Sequence, residues 1–85
     1  MIPKIKKVVP QKDFKLCVSF DTGETVIYDV NEDINQIPAF NDLKTQIGLF
    51  ETVRLDESRT CVFWNDFIDL PSDTIYEYGN KICEN

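Results

Sequence analysis

Hydrophobic and polar residues alternate along residues 14–30 with the period of two that is typical of a β-strand with one buried face. The apolar positions are Phe14, Leu16, Val18 and Phe20 in a first segment and Val26, Tyr28 and Val30 in a second. Asp21-Thr22-Gly23 lies between the segments, and Gly23 suits the left-handed position of a three-residue hairpin loop. The pattern therefore predicts a β-hairpin.

Three more strands are predicted outside this hairpin. Residues 2–9 mix apolar and lysine positions between Pro3 and Pro10, which predicts an edge strand because proline cannot donate a hydrogen bond to a central ladder. Residues 50–55 and 60–64 also alternate, and a polar turn separates them. Residues 50–55 are assigned as the third strand of the main sheet.

The first of two predicted helices is short and begins at Asn41, a suitable N-cap. Its apolar stripe comprises Phe40, Leu43 and Ile47. Gly48 suits the left-handed residue that ends a helix. Before this helix, residues 31–33 are interpreted as a polar break and residues 34–40 as an irregular connection.

The second helix is predicted at about residues 72–78. Pro71 and Ser72 are suitable start residues, Ile75 and Tyr78 supply an apolar side, and Gly79 ends the helix. Residues 65–71 are interpreted as the turn that precedes it, and residues 80–85 as a frayed tail.

These elements predict an α+β fold: a small antiparallel sheet of about five strands with two short helices. A chain of 85 residues has room for one domain. We expect that domain to span residues 1–85, with an ordered core at about residues 3–79.

One face of the predicted sheet is more apolar than a solvated face requires. Alternation places Cys61 and Phe63 on the side opposite Val62 and Trp64, and Cys17 and Ile27 join them if the strands are neighbours. Covering of this face by the C-terminal helix is the favoured interpretation. A dimer or partner surface is the alternative.

The formal net charge of −6 argues against a primary role on nucleic acid or on an anionic membrane. Residues 1–20 nevertheless carry five lysines against one aspartate. Lysines of this kind commonly protect an edge strand from pairing with other chains. The functional alternative is a basic edge that meets an acidic partner or a phosphate.

Several kinds of chemistry have no support in the sequence. The chain has no histidine and three scattered cysteines, so neither histidine catalysis nor a standard zinc site is predicted, and we expect no cofactor. No phosphate-binding glycine motif occurs. An odd number of cysteines fits reduced thiols, and no apolar run approaches the roughly 18 residues of a membrane span. A cytoplasmic location without membrane contact is expected.

Three residues are candidates for a site. Trp64 is expected in the core with an acceptor for its indole N–H, and the alternative is an exposed anchor at a protein interface. Asp66 and Asp69 could form a carboxylate pair. The structural interpretation is stronger for both, since turn aspartates bind nearby backbone N–H groups and Asp69 is placed to cap the last helix.

The order of elements resembles a family of small bacterial proteins of unknown function, numbered 2442. The matching residues are Leu16-x-Val18-x-Phe20, Asp21-x-Gly23-Glu24, Asp29, Phe40-x-x-Leu43, Phe50, Trp64, Asp69-Leu70 and Ile75-Tyr76. The resemblance covers about residues 3–78. The chain departs from the family pattern at Phe67, where relatives often carry glycine in the turn after the tryptophan.

The resemblance implies a compact α+β domain in the bacterial cytosol and no established activity. Some relatives resemble fusions to a helix-turn-helix domain and others are encoded beside a second small protein, which implies an adaptor or antitoxin-like role.

The leading hypothesis is a non-catalytic protein–protein interaction module that binds a protein partner or a second copy. An accessory transcriptional factor, which contacts DNA through Lys4, Lys6 and Lys7 or through a partner, is the alternative. An enzyme that uses Asp66 and Asp69 is the third and weakest hypothesis.

Overall fold

A computed structural model describes residues 2–82 of the chain. Its strands are β1 (Ile5–Gln11), β2 (Lys15–Phe20), β3 (Thr25–Asp29), β4 (Arg54–Leu55), β5 (Cys61–Asn65), β6 (Ile68–Pro71) and β7 (Asn80–Ile82). Its α-helices are α1 (Asn31–Gln36), α2 (Asp42–Thr45) and α3 (Ser72–Tyr78). Three 3₁₀ turns occupy Lys12–Phe14, Pro38–Asn41 and Phe50–Thr52.

The strands form two antiparallel sheets, with strand orders β1-β2-β3-β7 and β4-β5-β6. The α+β class predicted from the sequence is confirmed. The arrangement of the strands differs, because seven strands in two sheets replace about five strands in one.

The central hairpin is confirmed. Val18 on β2 lies opposite Val26 on β3. The Gly23 N–H donates to the Phe20 carbonyl over 2.9 Å, and Gly23 has a φ of 96°, in the left-handed region that favours glycine. The loop therefore has the three-residue form that the Asp-Thr-Gly sequence predicts.

β1 is an edge strand, as predicted, although it begins and ends later than residues 2–9. It pairs with β2 alone in the four-stranded sheet, and Pro10 lies within it opposite Leu16. Its first residue is covered, because the Ile5 N–H donates to the Arg59 carbonyl of the β4–β5 turn over 2.7 Å. The Arg59 guanidinium also forms a two-pronged ion pair with Asp21, which links the two sheets at this end.

The core lies between the inner faces of the two sheets and under the helices. Its buried residues are Ile5, Leu16, Val18, Phe20, Val26, Tyr28, Val30, Ile34, Phe40, Leu43, Phe50, Val62, Trp64, Ile68, Leu70 and Ile75. On β2 and β5 the buried positions alternate with half-exposed ones, as a sheet with one buried face requires.

The prediction of a strand over residues 50–55 is wrong for most of its length. Phe50–Thr52 is a 3₁₀ turn, and only Arg54–Leu55 pair, with β5 rather than with the hairpin. The reason is that Phe50 packs between Phe14 and Trp64, at centroid distances of 5.3 and 5.9 Å, while its carbonyl accepts the Trp64 indole N–H. These contacts hold the segment as a turn.

The first predicted helix is also corrected. Pro38–Asn41 is a 3₁₀ turn that leads directly into α2, and Asn41 has helical dihedral angles and makes no capping hydrogen bond. α2 ends after four residues, so Ile47 is fully exposed instead of lying on the buried stripe. Gly48 does take the left-handed conformation, with φ of 86°.

Residues 31–33, interpreted as a polar break, are in fact the first turn of α1. The Asp29 carboxylate accepts the Asn31 backbone N–H over 2.9 Å and its side-chain amide over 2.8 Å. Asp29 thus stabilises the first turn of α1, a helix whose one buried residue is Ile34. This single apolar position is too weak a periodic signal to predict α1.

The C-terminal region contains one confirmed helix and two strands that were not predicted. α3 occupies residues 72–78 as expected, with Ile75 buried, but Tyr78 is 73% exposed. β6 occupies part of the segment interpreted as a turn. β7 pairs with β3, so the prediction of fraying is wrong for residues 80–82, and residues 83–85 lie outside the described part.

Helix α3 is tied to the N-terminal segment by Ser72, which is completely buried. Its hydroxyl donates to the Pro3 carbonyl over 2.6 Å, and its backbone N–H donates to the Thr60 carbonyl. Within residues 2–82, no helix combines the length and the apolar character needed to cross a bilayer.

Candidate functional site

The side of the four-stranded sheet that faces away from the core carries a cross-strand row of apolar residues, and we refer to this side as the outer face. Its residues, taken strand by strand, are Lys7, Val9 and Gln11 on β1, Ser19, Cys17 and Lys15 on β2, and Thr25, Ile27 and Asp29 on β3. The register places each residue directly beside its counterpart on the next strand. Cys17 lies at the centre of this array.

The middle row of the outer face is apolar and accessible. Val9, Cys17 and Ile27 are cross-strand neighbours, and the register continues this row to Asn80 on β7. Val9 is 38% exposed, and the other two are half-buried. The flanking rows are polar or charged, which gives the face an apolar centre with a polar rim.

The favoured interpretation of the sequence, that the C-terminal helix covers this face, is wrong. α3 buries Ile75 in the core, and only Thr74 and Tyr78 reach the border of the outer face beside Ile27. Val9 and Cys17 stay accessible.

Cys61 and Phe63 were expected to share the face of Cys17 and Ile27, but they belong to the other sheet. There the Arg54 guanidinium lies 5.1 Å from the centroid of the Phe63 ring, and Asp69 is the cross-strand neighbour of Phe63. The apolar surface inferred from the sequence is therefore divided between two separate sheets.

An acidic cleft of about 420 Å³ lies at the edge of the sheet, beside the end of β3. Its lining residues are Ile27, Tyr28, Asp29, Glu32, Asp33, Gln36, Thr74, Tyr78 and Asn80. They come from β3, α1, α3 and β7, so the cleft exists only because two helices and the last strand meet beside β3. Three of its nine residues are acidic and none is basic, which gives this border a negative potential.

Within the acidic cleft, the Tyr28 hydroxyl donates to the Asp33 carboxylate over 2.6 Å. Burial of the phenol raises the pKa of Tyr28 above its ordinary value, and the hydrogen bond to Asp33 and the charges of Asp33, Glu32 and Asp29 raise it further. Tyr28 therefore stays protonated and serves as a fixed donor that orients the Asp33 carboxylate.

This arrangement makes the alkaline stability of the protein depend on Tyr28. Because the pKa of Tyr28 is raised in the folded state, its contribution to the free energy of unfolding is fully present below pH of about 10, the ordinary phenol pKa, and is lost as the pH rises through the raised value. Absorbance titration of the wild type against Tyr28→Phe should show Tyr28 ionising well above pH of about 10. Asp33→Asn should lower that pKa, and ionisation of Tyr28 at the ordinary value would contradict the assignment.

A basic hollow of about 440 Å³ lies at the opposite corner of the outer face. Its lining residues are Lys6, Lys7, Ser19, Phe20, Gly23 and Thr25. A bulge in β1 between Ile5 and Lys7 brings both lysines to this corner. The outer face thus carries Lys7 at one corner and Asp29 at the diagonally opposite one, where Lys15 is the cross-strand neighbour of Asp29.

The three site residues proposed from the sequence are not brought together in a cleft. Trp64 is 2% exposed, and its indole N–H donates to the Phe50 carbonyl over 2.9 Å, which is the acceptor that the core interpretation required. Asp66 is exposed in the β5–β6 turn, and Asp69 is exposed on β6 opposite Phe63. A binding role for these residues stays a prediction.

The prediction that Asp69 caps the last helix is wrong. Asp69 lies in the middle of β6, and Pro71 occupies the N-cap position without a side-chain hydrogen bond. In the β5–β6 turn, Asn65 performs the role expected of Asp66, because its side-chain oxygen accepts the N–H groups of Phe67 and Ile68. Phe67 is not among the described residues with left-handed φ, so this turn does not require glycine there.

The described residues offer little for metal or thiol chemistry. Within residues 2–82 no group of three or more histidine, cysteine, aspartate or glutamate side chains is arranged to hold a metal ion. Burial raises the pKa of the Cys61 thiol, and the charges of Asp69 and Asp56 raise it further. That environment disfavours the reactive thiolate.

Sequence reasoning did not find the acidic cleft. Its residues are scattered over four elements, and two of those elements, α1 and β7, were not predicted. The signal present in the sequence was Asp29 two residues before Asn31, with Glu32 and Asp33 following, an arrangement that suits the positive end of a helix.

Comparison with known proteins identifies one family. The model of a family described as "Protein of unknown function (DUF2442)" matches residues 5–81 of the chain. This range runs from the first residue of β1 into β7, so it includes both sheets and the whole outer face. No curated protein and no solved structure matches the chain.

Proposed function

The chain belongs to the DUF2442 family of proteins of unknown function, and from that premise we propose that it is a small non-catalytic module that binds another protein through the outer face. The family description names no activity. The proposal therefore rests on the surface of this chain. In this proposal the protein acts in the cytoplasm as an adaptor or as an antitoxin-like partner.

The observation that carries the proposal is the accessible apolar row at the centre of the outer face. Exposure of neighbouring apolar side chains within a polar rim is characteristic of protein-binding surfaces. The row is held on a rigid sheet, because the residues on the inner side of β2, such as Leu16 and Val18, are completely buried. A rigid surface loses little conformational entropy on binding.

Support for a non-catalytic role comes from the positions of the carboxylates. Asp66 and Asp69, the pair considered for acid–base chemistry, line neither the acidic cleft nor the basic hollow. In the acidic cleft, Asp33 is engaged by Tyr28, and Asp29 is engaged by Asn31. These carboxylates act as structural hydrogen-bond acceptors. The free thiols Cys17 and Cys61 suit a reducing compartment.

A second candidate function is contact with DNA, as an accessory transcriptional factor. It is favoured by the basic hollow, in which Lys6 and Lys7 lie together, with Lys4 exposed nearby in sequence. The acidic cleft at the other corner of the same face opposes close approach of a phosphate backbone. Protein binding is therefore the better supported function.

The test is capture of a partner by the tagged full chain from host lysate, with and without nuclease, followed by affinity measurement with the purified partner. Val9→Glu places a charge in the apolar row and should weaken binding by about tenfold or more, since each factor of ten corresponds to about 1.4 kcal/mol. Ile47→Glu is the matched control, because Ile47 is exposed on a loop that does not belong to the four-stranded sheet, and it should bind as the wild type does.

Equal affinity of Val9→Glu and wild type would place the binding surface elsewhere. Recovery that is lost with nuclease, and that also disappears when Lys4, Lys6 and Lys7 are replaced, would favour the DNA-linked function instead. Both variants should have the melting temperature of the wild type in thermal unfolding. Val9 lies on the edge strand β1, and its replacement leaves the core unchanged.

A further inference from the structure

We propose that the occupant of the outer face is a second copy of this chain, related to the first by a two-fold axis that brings the basic hollow of each copy against the acidic cleft of the other. This inference rests on the proposed function, because it assumes that the outer face is an interaction surface. It goes further by naming the partner and the geometry.

The first step is the diagonal placement of charge. Lys7 and Asp29 occupy opposite corners of the array, with Cys17 at the centre. Lys6 extends the positive corner, and Glu32 extends the negative corner into the acidic cleft. A face with one positive and one negative corner is complementary to itself, as a two-fold interface requires.

The second step is the direction of the axis. An axis in the plane of the face, passing beside Cys17 and perpendicular to the Lys7–Asp29 diagonal, places Lys7 of each copy over Asp29 of the other. Because strands are spaced about 4.8 Å apart and rise about 3.4 Å per residue, this axis crosses the strands obliquely. The strands of the two sheets then cross at roughly 70°, which is closer to the orthogonal than to the aligned packing of sheets.

The competing arrangement has the axis parallel to the strands. It would place Lys7 of one copy over Thr25 of the other, so neither charged corner would meet its complement. The oblique axis instead places both charged corners of each copy over their complements and sets Val9 of one copy against Lys15 of the other, whose aliphatic stem can pack on it. Charge complementarity therefore selects the oblique arrangement.

The third step concerns strength. The array of three residues on each of three strands is smaller than the roughly 800 Å² that each partner buries in a standard interface. The dimer is therefore expected to be weak and to depend on ionic strength, because its corners are solvent-accessible charges. Sedimentation velocity of the full chain should show a monomer–dimer equilibrium at low salt that shifts toward monomer as salt is added.

A charge exchange provides the decisive test. Lys7→Glu creates like charges at both corners, so this variant alone should dimerise at least tenfold more weakly than the wild type. Glu32→Lys removes only part of the negative charge, because Asp29 still lies opposite Lys7, and it should weaken the dimer less. An equimolar mixture of the two should associate more tightly than Lys7→Glu alone, because the lysine introduced at position 32 then meets the glutamate introduced at position 7. Both residues are exposed, and circular dichroism should show unchanged folding.

Thiol cross-linking provides an independent test of the centre of the interface. A short bismaleimide should link two copies that retain only Cys17, made by Cys61→Ser and Cys83→Ser. Copies that retain only Cys61, made by Cys17→Ser and Cys83→Ser, should not be linked, since Cys61 lies on the other sheet.

A failure of the mixture to recover association would overturn the proposal, as would a monomer at every concentration or equal cross-linking of the two cysteine variants. These outcomes are distinguishable from failure of the proposed function. If the chain stays monomeric while a different protein is captured in a manner sensitive to Val9→Glu, the outer face remains the interaction surface and only its occupant is different.

Discussion

Replacing Trp64 with alanine is expected to lower the free energy of unfolding by about 3–5 kcal/mol, the usual cost of deleting a buried aromatic side chain. Trp64 packs against Phe50 and Phe40, with ring centroids 5.9 and 6.2 Å away, and its indole N–H is bound to the Phe50 carbonyl. A chain of this length is stable by roughly 4–13 kcal/mol in total. The decrease in the free energy of unfolding should therefore be large enough to measure by urea unfolding followed by far-ultraviolet circular dichroism.

Two further variants separate the causes of this loss. Trp64→Phe keeps most of the aromatic packing but leaves the Phe50 carbonyl without its donor, and should cost about 1–3 kcal/mol. Phe67→Ala removes an aromatic side chain that is 82% exposed, three residues along the chain, and should change stability by less than about 0.5 kcal/mol. If Trp64→Ala cost no more than Phe67→Ala, the central role of Trp64 in the core would be contradicted.

The parts of the fold that local rules determine could be predicted from the sequence. The hairpin follows from strict alternation and from the requirement for a left-handed residue at Gly23. The position of α3 follows from Pro71 and Gly79 at its ends. The need of Trp64 for a buried acceptor follows from the chemistry of indole, although the sequence does not identify that acceptor as Phe50.

The parts that depend on distant contacts could not be predicted. Residues 50–55 alternate as a strand does, but the aromatic contacts of Phe50 hold most of the segment in a turn, and tertiary packing overrides the local pattern. The remaining pair, Arg54–Leu55, is too short to be recognised by periodicity. Division of the strands into two sheets follows from these long-range contacts.

The candidate site was predictable to a similar extent. Alternation placed Cys17 and Ile27 on one face of the hairpin, and the register confirms that they are cross-strand neighbours. The charged corners were not predictable, because the acidic cleft requires α1, α3 and β7 to meet beside β3. β7 has only three residues, and its position depends on how closely the chain passes β3 at Gly79.

Replacing Gly79 with alanine is expected to lower the free energy of unfolding by about 1–3 kcal/mol, the cost of overfilling a packed region. Gly79 has φ of −78°, which any residue can adopt, so backbone conformation is not the reason. A Cβ atom at this position would clash with Val26 Cγ1 and would lie 2.7 Å from the Ile75 carbonyl oxygen. Val26 is fully buried, so either the end of α3 or the start of β7 must move away from β3.

Hydrogen exchange can identify which element moves, and Gly23→Ala is the matched control. Gly23 has open space around it, so alanine there should cost about 1–2 kcal/mol through its left-handed φ alone and should leave β7 protected. Gly79→Ala should instead raise exchange at the β3–β7 pairing.

Adding Val26→Ala tests the source of the strain at Gly79. This second substitution removes the clash with Val26 Cγ1 and leaves the 2.7 Å contact with the Ile75 carbonyl. The double variant should therefore be more stable than the sum of the two single effects predicts. Strict additivity would mean that the Val26 contact is not the source. Because Tyr78 and Asn80 flank Gly79 and line the acidic cleft, displacement of this junction should also weaken binding at that corner of the outer face.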